Sequence, residues 1–362
     1  MEIAVLGGGH GCYAAAADLS MRGHSVRLWR RDAEALAPLL AAGTISTKDF
    51  SGEHEVPVSL ATADLAQAVD GASLIVAPLP ATTHESLAPR LAPLLRDGQV
   101  VFLPPGTFGG FIFARAKHSA GNHADVSFAE TGTLPYLARK HGPRRVVISG
   151  FGKHLPTGVY PRRNATHALA VIREAYPAVE DCGDLLSGAL MNAGPIIHPP
   201  LIVMNAGPLE HFERWDIHKE GTQPAIRRVT DALDAERIAV REALGYGTPH
   251  FPLKDHYAKE GPEWMYGRGA HDKLTDSGDW REHIVLTEHR YMLEDTRLGL
   301  SFIASVGRWA GVATPLCDAF LAIGAAVTGR DFHAEGRTLE KLGLQHLTRE
   351  GMHGLLAEGL EP

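Results

Sequence analysis

The first residues able to do chemistry are glycines. Gly7-Gly8-Gly9-His10-Gly11-Cys12 follows an apolar run at 3–6 and precedes a helix-forming run at 13–19. Gly23 closes that helix, and 26–29 reads as the next strand. This is a βαβ unit of about thirty residues. Gly7 allows the tight turn after the strand, and Gly9 lets the backbone approach a pyrophosphate. Cys12 stands where a small third residue packs the helix on the strand. Free N–H groups at the helix start then hold phosphates. Gly7, Gly9, His10, Gly11 and Cys12 are therefore the candidate cofactor contacts. The second strand ends in Trp29-Arg30-Arg31. An NAD-preferring site tends to place an acid there, on the ribose 2′-hydroxyl, whereas two guanidinium groups suit a 2′-phosphate. Arg30 and Arg31 predict a preference for NADP(H) over NAD(H), with Asp32 next in line for a hydroxyl.

The elements that must position this turn continue down the chain. Runs at 73–78, 99–103 and 126–129 read as buried strands, 55–60 as another, and 145–149 as a late one, alternating with helical stretches. That alternation means a doubly wound parallel sheet, which binds ligands at the carboxyl ends of its strands. Pro80, Gly106, Thr107 and Glu130 fall at such ends, so Pro80, Gly106 and Thr107 are candidate contacts to the nicotinamide half of the cofactor. Near residue 180 the periodicity turns helical. One helix over 231–244 shows Leu233, Val240 and Leu244 on a stripe, with Asp234, Glu236, Arg237 and Arg241 mostly elsewhere, and further apolar helices read at 301–306 and 316–327. The expected fold is α/β: a Rossmann domain over 1–180, then an all-helical domain over 181–362, with the active site in a cleft between them.

Composition excludes several classes. The 362 residues carry 35 basic and 42 acidic side chains, a formal charge of −7, which argues against a nucleic-acid partner. No apolar run is long enough to span a membrane, and the start has no targeting signature. Cys12, Cys182 and Cys317 are odd in number and far apart, which fits a reducing cytoplasm. The twenty histidines lack a tight HxxxH set, so no metal is expected.

Three stretches together are similar to the opine dehydrogenase family, the NAD(P)-dependent octopine and nopaline type. They are Ala129-Glu130-Thr131-Gly132-Thr133-Leu134-Pro135-Tyr136 with Arg139, Leu190-Met191-Asn192-Ala193-Gly194-Pro195-Ile196-Ile197-His198-Pro199-Pro200, and His289-Arg290-Tyr291-Met292-Leu293-Glu294-Asp295. The run 336–344 resembles it too, so the likeness covers nearly the whole chain. The resemblance implies that an amino acid condenses with a 2-oxo acid to an imine, which NAD(P)H reduces. It makes His198 the acid/base and Asp295 the group that orients it. It puts Arg290 on a substrate carboxylate, Asn192 on substrate or the nicotinamide amide, and Glu130 and Thr131 along the substrate cleft. The partners implied are small molecules, and a homodimer is the assembly helical domains of this kind commonly form.

Some features stand apart from the family. Gly194 occupies a place where the family often shows a second Asn, and Thr296-Arg297 replaces a Val-Pro pair, so Arg297 is expected to add positive charge near the cleft. The segment 250–280 matches least and reads equally as a specificity determinant or a loop. Arg290 and Asp295 lie roughly 140° apart on a regular helix, which advances about 100° per residue, so they share a face only if the helix is irregular. Two other readings use the same plan. One is a reductase of the 2-dehydropantoate or glycerol-3-phosphate dehydrogenase type, which relies on a catalytic lysine, and Lys219, Lys254, Lys259 and Lys273 are the lysines at hand. The other is a non-catalytic NADP(H)-binding redox sensor.

Overall fold

The computed structural model describes residues 1–360. The chain divides into two compact units, one of Met1–Leu79, Thr83–Ala189 and the stretch from His353, the other of Pro80–Thr82 and Leu190–Met352. The first unit extends past residue 180 because the strand there continues a sheet and a short helix, Leu185–Ala189, packs onto it.

The first unit is built on twelve strands: β1 (Glu2–Leu6), β2 (Ser25–Trp29), β3 (Thr44–Asp49), β4 (Gly52–Pro57), β5 (Leu60–Thr62), β6 (Leu74–Val76), β7 (Val100–Leu103), β8 (Ser127–Thr131), β9 (Tyr136–Lys140), β10 (Arg145–Phe151), β11 (Leu155–Tyr160) and β12 (Val179–Asp184). Eight form the main sheet in the order β12-β11-β8-β7-β6-β1-β2-β5. Pairing is parallel throughout except between β8 and β11. Strands β6 and β7 are buried along their whole length and apolar at every position, as central parallel strands must be.

A second sheet, in the order β4-β3-β10-β9, was not foreseen from the sequence. The expected strand over 55–60 is split between the two sheets, at Val58 and Ser59, and 145–149 belongs to the second sheet as β10. Helix His10–Met21 packs against both sheets. That explains its composition: residues Gly11 to Leu19 are all buried, and Ala14, Ala15, Ala16 and Ala17 keep each side thin enough for close approach. Its one buried acid, Asp18, accepts from Tyr136 Oη at 2.8 Å and Arg22 Nη2 at 2.6 Å.

The second unit is helical. Its longest helix, Pro224–Ala243, buries Leu233 and Val240 as expected, but Asp234, Arg237 and Arg241 are buried as well. Charge can stay inside because it is paired: Arg237 Nε donates to Asp234 at 2.6 Å, and the guanidinium also donates to the carbonyls of Leu190 and His250. Helix Gly194–Val203 packs against the segment Tyr291–Leu300, which is a π-helix. Gly299 makes that packing tight, since a Cβ there would lie 2.2 Å from Pro195 Cγ. Among the described residues no helix is long and apolar enough to cross a membrane.

Candidate active site

In the first unit the glycine turn has the form the sequence predicts. Gly7 has φ +119°, and a Cβ there would lie 2.4 Å from Leu79 Cδ2 and 2.7 Å from Cys12 Sγ. Only glycine fits both the dihedral and the space. Gly9 precedes helix His10–Met21 in extended conformation and has no atom within 4 Å of a would-be Cβ. The cradle is therefore open where a pyrophosphate needs backbone approach, which fits a dinucleotide. Gly11 brings the helix against Leu134 and Pro78. Cys12 is fully buried, its Sγ donating to Leu6 O at 3.4 Å, and burial pushes the thiol up to about 11. It is an inert packing residue beneath the turn rather than a direct ligand.

His10 Nδ1 accepts the Lys140 backbone N–H at 2.7 Å, so the imidazole ties the turn to the end of β9. Arg30 Nη1 donates to Ala35 O at 2.9 Å, and Arg31 is exposed. Lys140, which the sequence reading passed over, reaches the same turn from the second sheet. Nothing local in the sequence could have flagged it, because 130 residues and a strand pairing separate it from His10.

The turn after β7 corrects one expectation. Glu130 is fully buried, and its carboxylate accepts from the backbone N–H groups of Phe108, at 2.7 Å, and Gly110. It builds the turn instead of lining a cleft. The turn is strained, with Thr107 at φ +52° and Phe108 at φ +61°. Gly106 is required beside it, since a Cβ would fall 2.2 Å from Glu130 Cδ. Thr131 is equally buried and donates to Pro156 O at 3.0 Å. Neither side chain is exposed to a substrate.

The second unit brings together the motifs that lie furthest apart in sequence. His198 sits on helix Gly194–Val203, whose start is fixed by Asn192 Oδ1 accepting from Gly194 N at 3.0 Å. Its Nδ1 lies 2.8 Å from Asp295 Oδ2. The imidazole stacks on Tyr291, with centroids 3.7 Å apart and planes 14° from parallel, and the His218 ring stands 6.2 Å away. The His198 side chain is 13% exposed and Asp295 5%. Burial pushes Asp295 up to about 7 against the pull of Arg290.

The π-helix settles the angular conflict between Arg290 and Asp295. Its backbone bonds run from each residue to the fifth beyond, and Thr296 Oγ1 donates to Tyr291 O across that same interval at 2.9 Å. Residues five apart then stack near one face instead of diverging. Gly194 shares in the arrangement: a Cβ there would lie 2.3 Å from Asp295 Oδ1. The space that a side chain at this position would need is taken by the carboxylate.

Arg290 leaves about half of its side chain exposed, and its Nε lies 3.6 Å from Glu294 Oε2. Glu294 is the site residue that the sequence reading quoted but gave no role. Its Oε1 accepts from Ala81 N at 2.8 Å while Arg337 Nη2 donates to Ala81 O at 2.8 Å, so the residue after Pro80 is held at both its backbone groups. Burial pushes Glu294 up to about 7 against Arg290. Arg297, expected to add free positive charge, instead donates to Glu335 at 2.9 Å and to Leu293 O at 3.0 Å. The segment 250–280 is an aromatic cluster around buried His256, which packs on Trp264 and His271, with Arg227 over Tyr257. Burial holds His256 down to about 3. Lys219, Lys254, Lys259 and Lys273 are all exposed, which leaves the lysine-dependent chemistry without a buried base.

Comparison with known proteins follows the same division. Residues 181–328 match the family model for the NAD/NADP octopine/nopaline dehydrogenase alpha-helical domain, and residues 2–104 that for the NAD-dependent glycerol-3-phosphate dehydrogenase N-terminus. An opine dehydrogenase of Arthrobacter sp. (strain 1C) is 30% identical over 355 residues, covering 96% of this chain and 97% of that one. The octopine dehydrogenase of Pecten maximus is 23% identical over 93% of this chain and 92% of its own. Among solved structures, octopine dehydrogenase with NADH and pyruvate superposes over 100% of this chain and 99% of its own, with a TM-score of 0.71 at 18% identity.

Proposed function

The chain belongs to the opine dehydrogenase family, an NAD(P)-dependent oxidoreductase that condenses an amino acid with a 2-oxo acid reductively, and from that premise we propose which of its residues carry the reaction. The observation that carries the proposal is the His198–Asp295 pair, held 2.8 Å apart by two elements packed through glycine. Asp295 fixes the tautomer by taking Nδ1 and stabilises the imidazolium, which makes Nε2 the atom that exchanges protons with substrate. Condensation needs both directions of transfer: a proton leaves nitrogen as the amine adds, and a proton reaches oxygen as water departs. The stacked Tyr291 ring restricts rotation of the imidazole. Arg290 holds a substrate carboxylate through its planar guanidinium, and Asn192 contacts substrate or the nicotinamide amide.

A bound nicotinamide supplies the hydride that reduces the imine. Gly7, Gly9, His10 and Gly11 shape its pyrophosphate cradle, and Arg30 and Arg31 support NADP(H) as the preferred form. Pro80, Gly106 and Thr107 form the strand-end turns assigned to the nicotinamide half. Three cysteines without a disulfide among the described residues support a cytoplasmic setting, and the assembly we assign is a homodimer. The test is oxidation of NADPH or NADH with pyruvate or 2-oxoglutarate, with and without a panel of amino acids. Consumption only when both substrates are present supports the assignment. Consumption with the oxo acid alone would refute it.

A further inference from the structure

Two cations from distant parts of the chain converge on Gly8. Arg30, just after β2, lies so close that a Cβ on Gly8 would be 2.7 Å from its Nε. Lys140 ends β9 in the second sheet. Its backbone is pinned by the His10 ring, and its Nζ stands 3.8 Å over the Tyr13 centroid and 3.4 Å from Gly8 O. Among the described residues neither cation has a carboxylate partner: Arg30 donates to a backbone carbonyl, and so does Lys140. Burial and the nearby guanidinium push the ammonium down to about 8. Two half-buried cations without a counter-ion repel each other, and a dianion placed between them removes that repulsion.

We propose that Lys140 joins Arg30 in binding the 2′-phosphate of NADP(H), so that the second sheet supplies a cofactor-specificity residue. This rests on the reading of the glycine turn as an NADP(H)-preferring site. The position favours the 2′-phosphate over the pyrophosphate. The residues after β2 are where such sheets read the adenosine ribose, whereas the pyrophosphate is served by open backbone at Gly9. The dianionic charge of a phosphate monoester also matches two cations.

The experiment is calorimetric titration of the full chain with NADPH and with NADH, for the unmodified protein, Lys140→Met and Lys140→Arg. Lys140→Met is expected to weaken NADPH about tenfold or more, the loss of one charge-assisted contact, and to change NADH by less than about twofold. Lys140→Arg is expected to recover most of the NADPH affinity. Binding of 2′,5′-ADP falls in Lys140→Met while that of 5′-ADP does not. Equal weakening of both cofactors, or no change in either, overturns the assignment. Tighter binding of NADH than NADPH by the unmodified protein would sink the NADP(H) preference alone, since the change in ratio caused by Lys140→Met is measured either way.

Discussion

Replacing Gly194 with alanine tests the geometry on which the acid/base assignment depends. The backbone at Gly194 is helical and has no positive φ. Helix propensity offers alanine little there, because Gly194 is the first helical residue and Pro195 follows it. The obstacle is the Asp295 carboxylate, whose Oδ1 would sit 2.3 Å and Cγ 3.1 Å from the new methyl, with Asn192 Oδ1 at 3.3 Å. Ordinary contact begins near 3.4 Å, so the carboxylate must retreat by about 1 Å, and side-chain rotation carries Oδ2 with it. A His198–Asp295 separation of 2.8 Å does not survive such a shift as a hydrogen bond. A misplacement of about 1 Å in a catalytic group costs about 100-fold in rate. The expected result is a kcat about 100-fold lower and a lower melting temperature, since a buried hydrogen bond is lost, with unchanged NADPH affinity. Steady-state kinetics, cofactor titration and thermal unfolding measure the three quantities. A kcat within about threefold of the original would refute the claim that Asp295 must stand where it does.

His198→Ala should lower kcat by about 100- to 10,000-fold, in the range of general acid/base catalysis, and leave cofactor affinity intact, as read by single-turnover kinetics and titration. Arg290→Ala should chiefly raise KM for the 2-oxo acid, and an unchanged KM would remove it from carboxylate binding. His256 gives a pH prediction with a definite sign. Its folded value, about 3, lies below the ordinary 6.5, so the unfolded chain takes up a proton first as pH falls. The resulting stability is complete above about 6.5 and is lost at up to about 1.4 kcal/mol per pH unit as pH drops toward 3. Melting temperatures between pH 4 and 8 should therefore fall less steeply for His256→Phe, and an identical slope would contradict the burial argument.

The sequence made the first βαβ unit legible because its glycines, apolar run and helix are contiguous and each answers a local demand. Dihedral, close approach and periodicity are all short-range. The second sheet was not legible for the opposite reason. Its two hairpins, β3–β4 and β9–β10, are separated by four strands of the main sheet, and they carry an alternating polar face that a solvated segment shows equally. Lys140 was lost with it. Glu130 marks another boundary: a strand-end acid reads the same whether it faces a ligand or turns back onto the N–H groups of Phe108 and Gly110. The buried Arg237 and Asp234 deceived in the same way, since a charged stripe reads as solvated until the pairing partners and carbonyls around it are known.

The conflict between Arg290 and Asp295 was itself information. Five residues is a poor spacing for two side chains of one α-helical site, and a sequence that needs both on one face must change the helix. The π-helix does this, and it has a second consequence. Glu294 and Asp295 are neighbours, both buried, both pushed up to about 7 with Arg290 pulling them down. On adjacent positions they point in different directions and take different partners, Asp295 the ring of His198 and Glu294 the backbone N–H of Ala81. One cation thus tempers two carboxyls, one paired with His198 and the other holding the residue after Pro80. A substrate carboxylate arriving at Arg290 would compete for that cation and raise both acids further, so that they hold protons more tightly when substrate is bound.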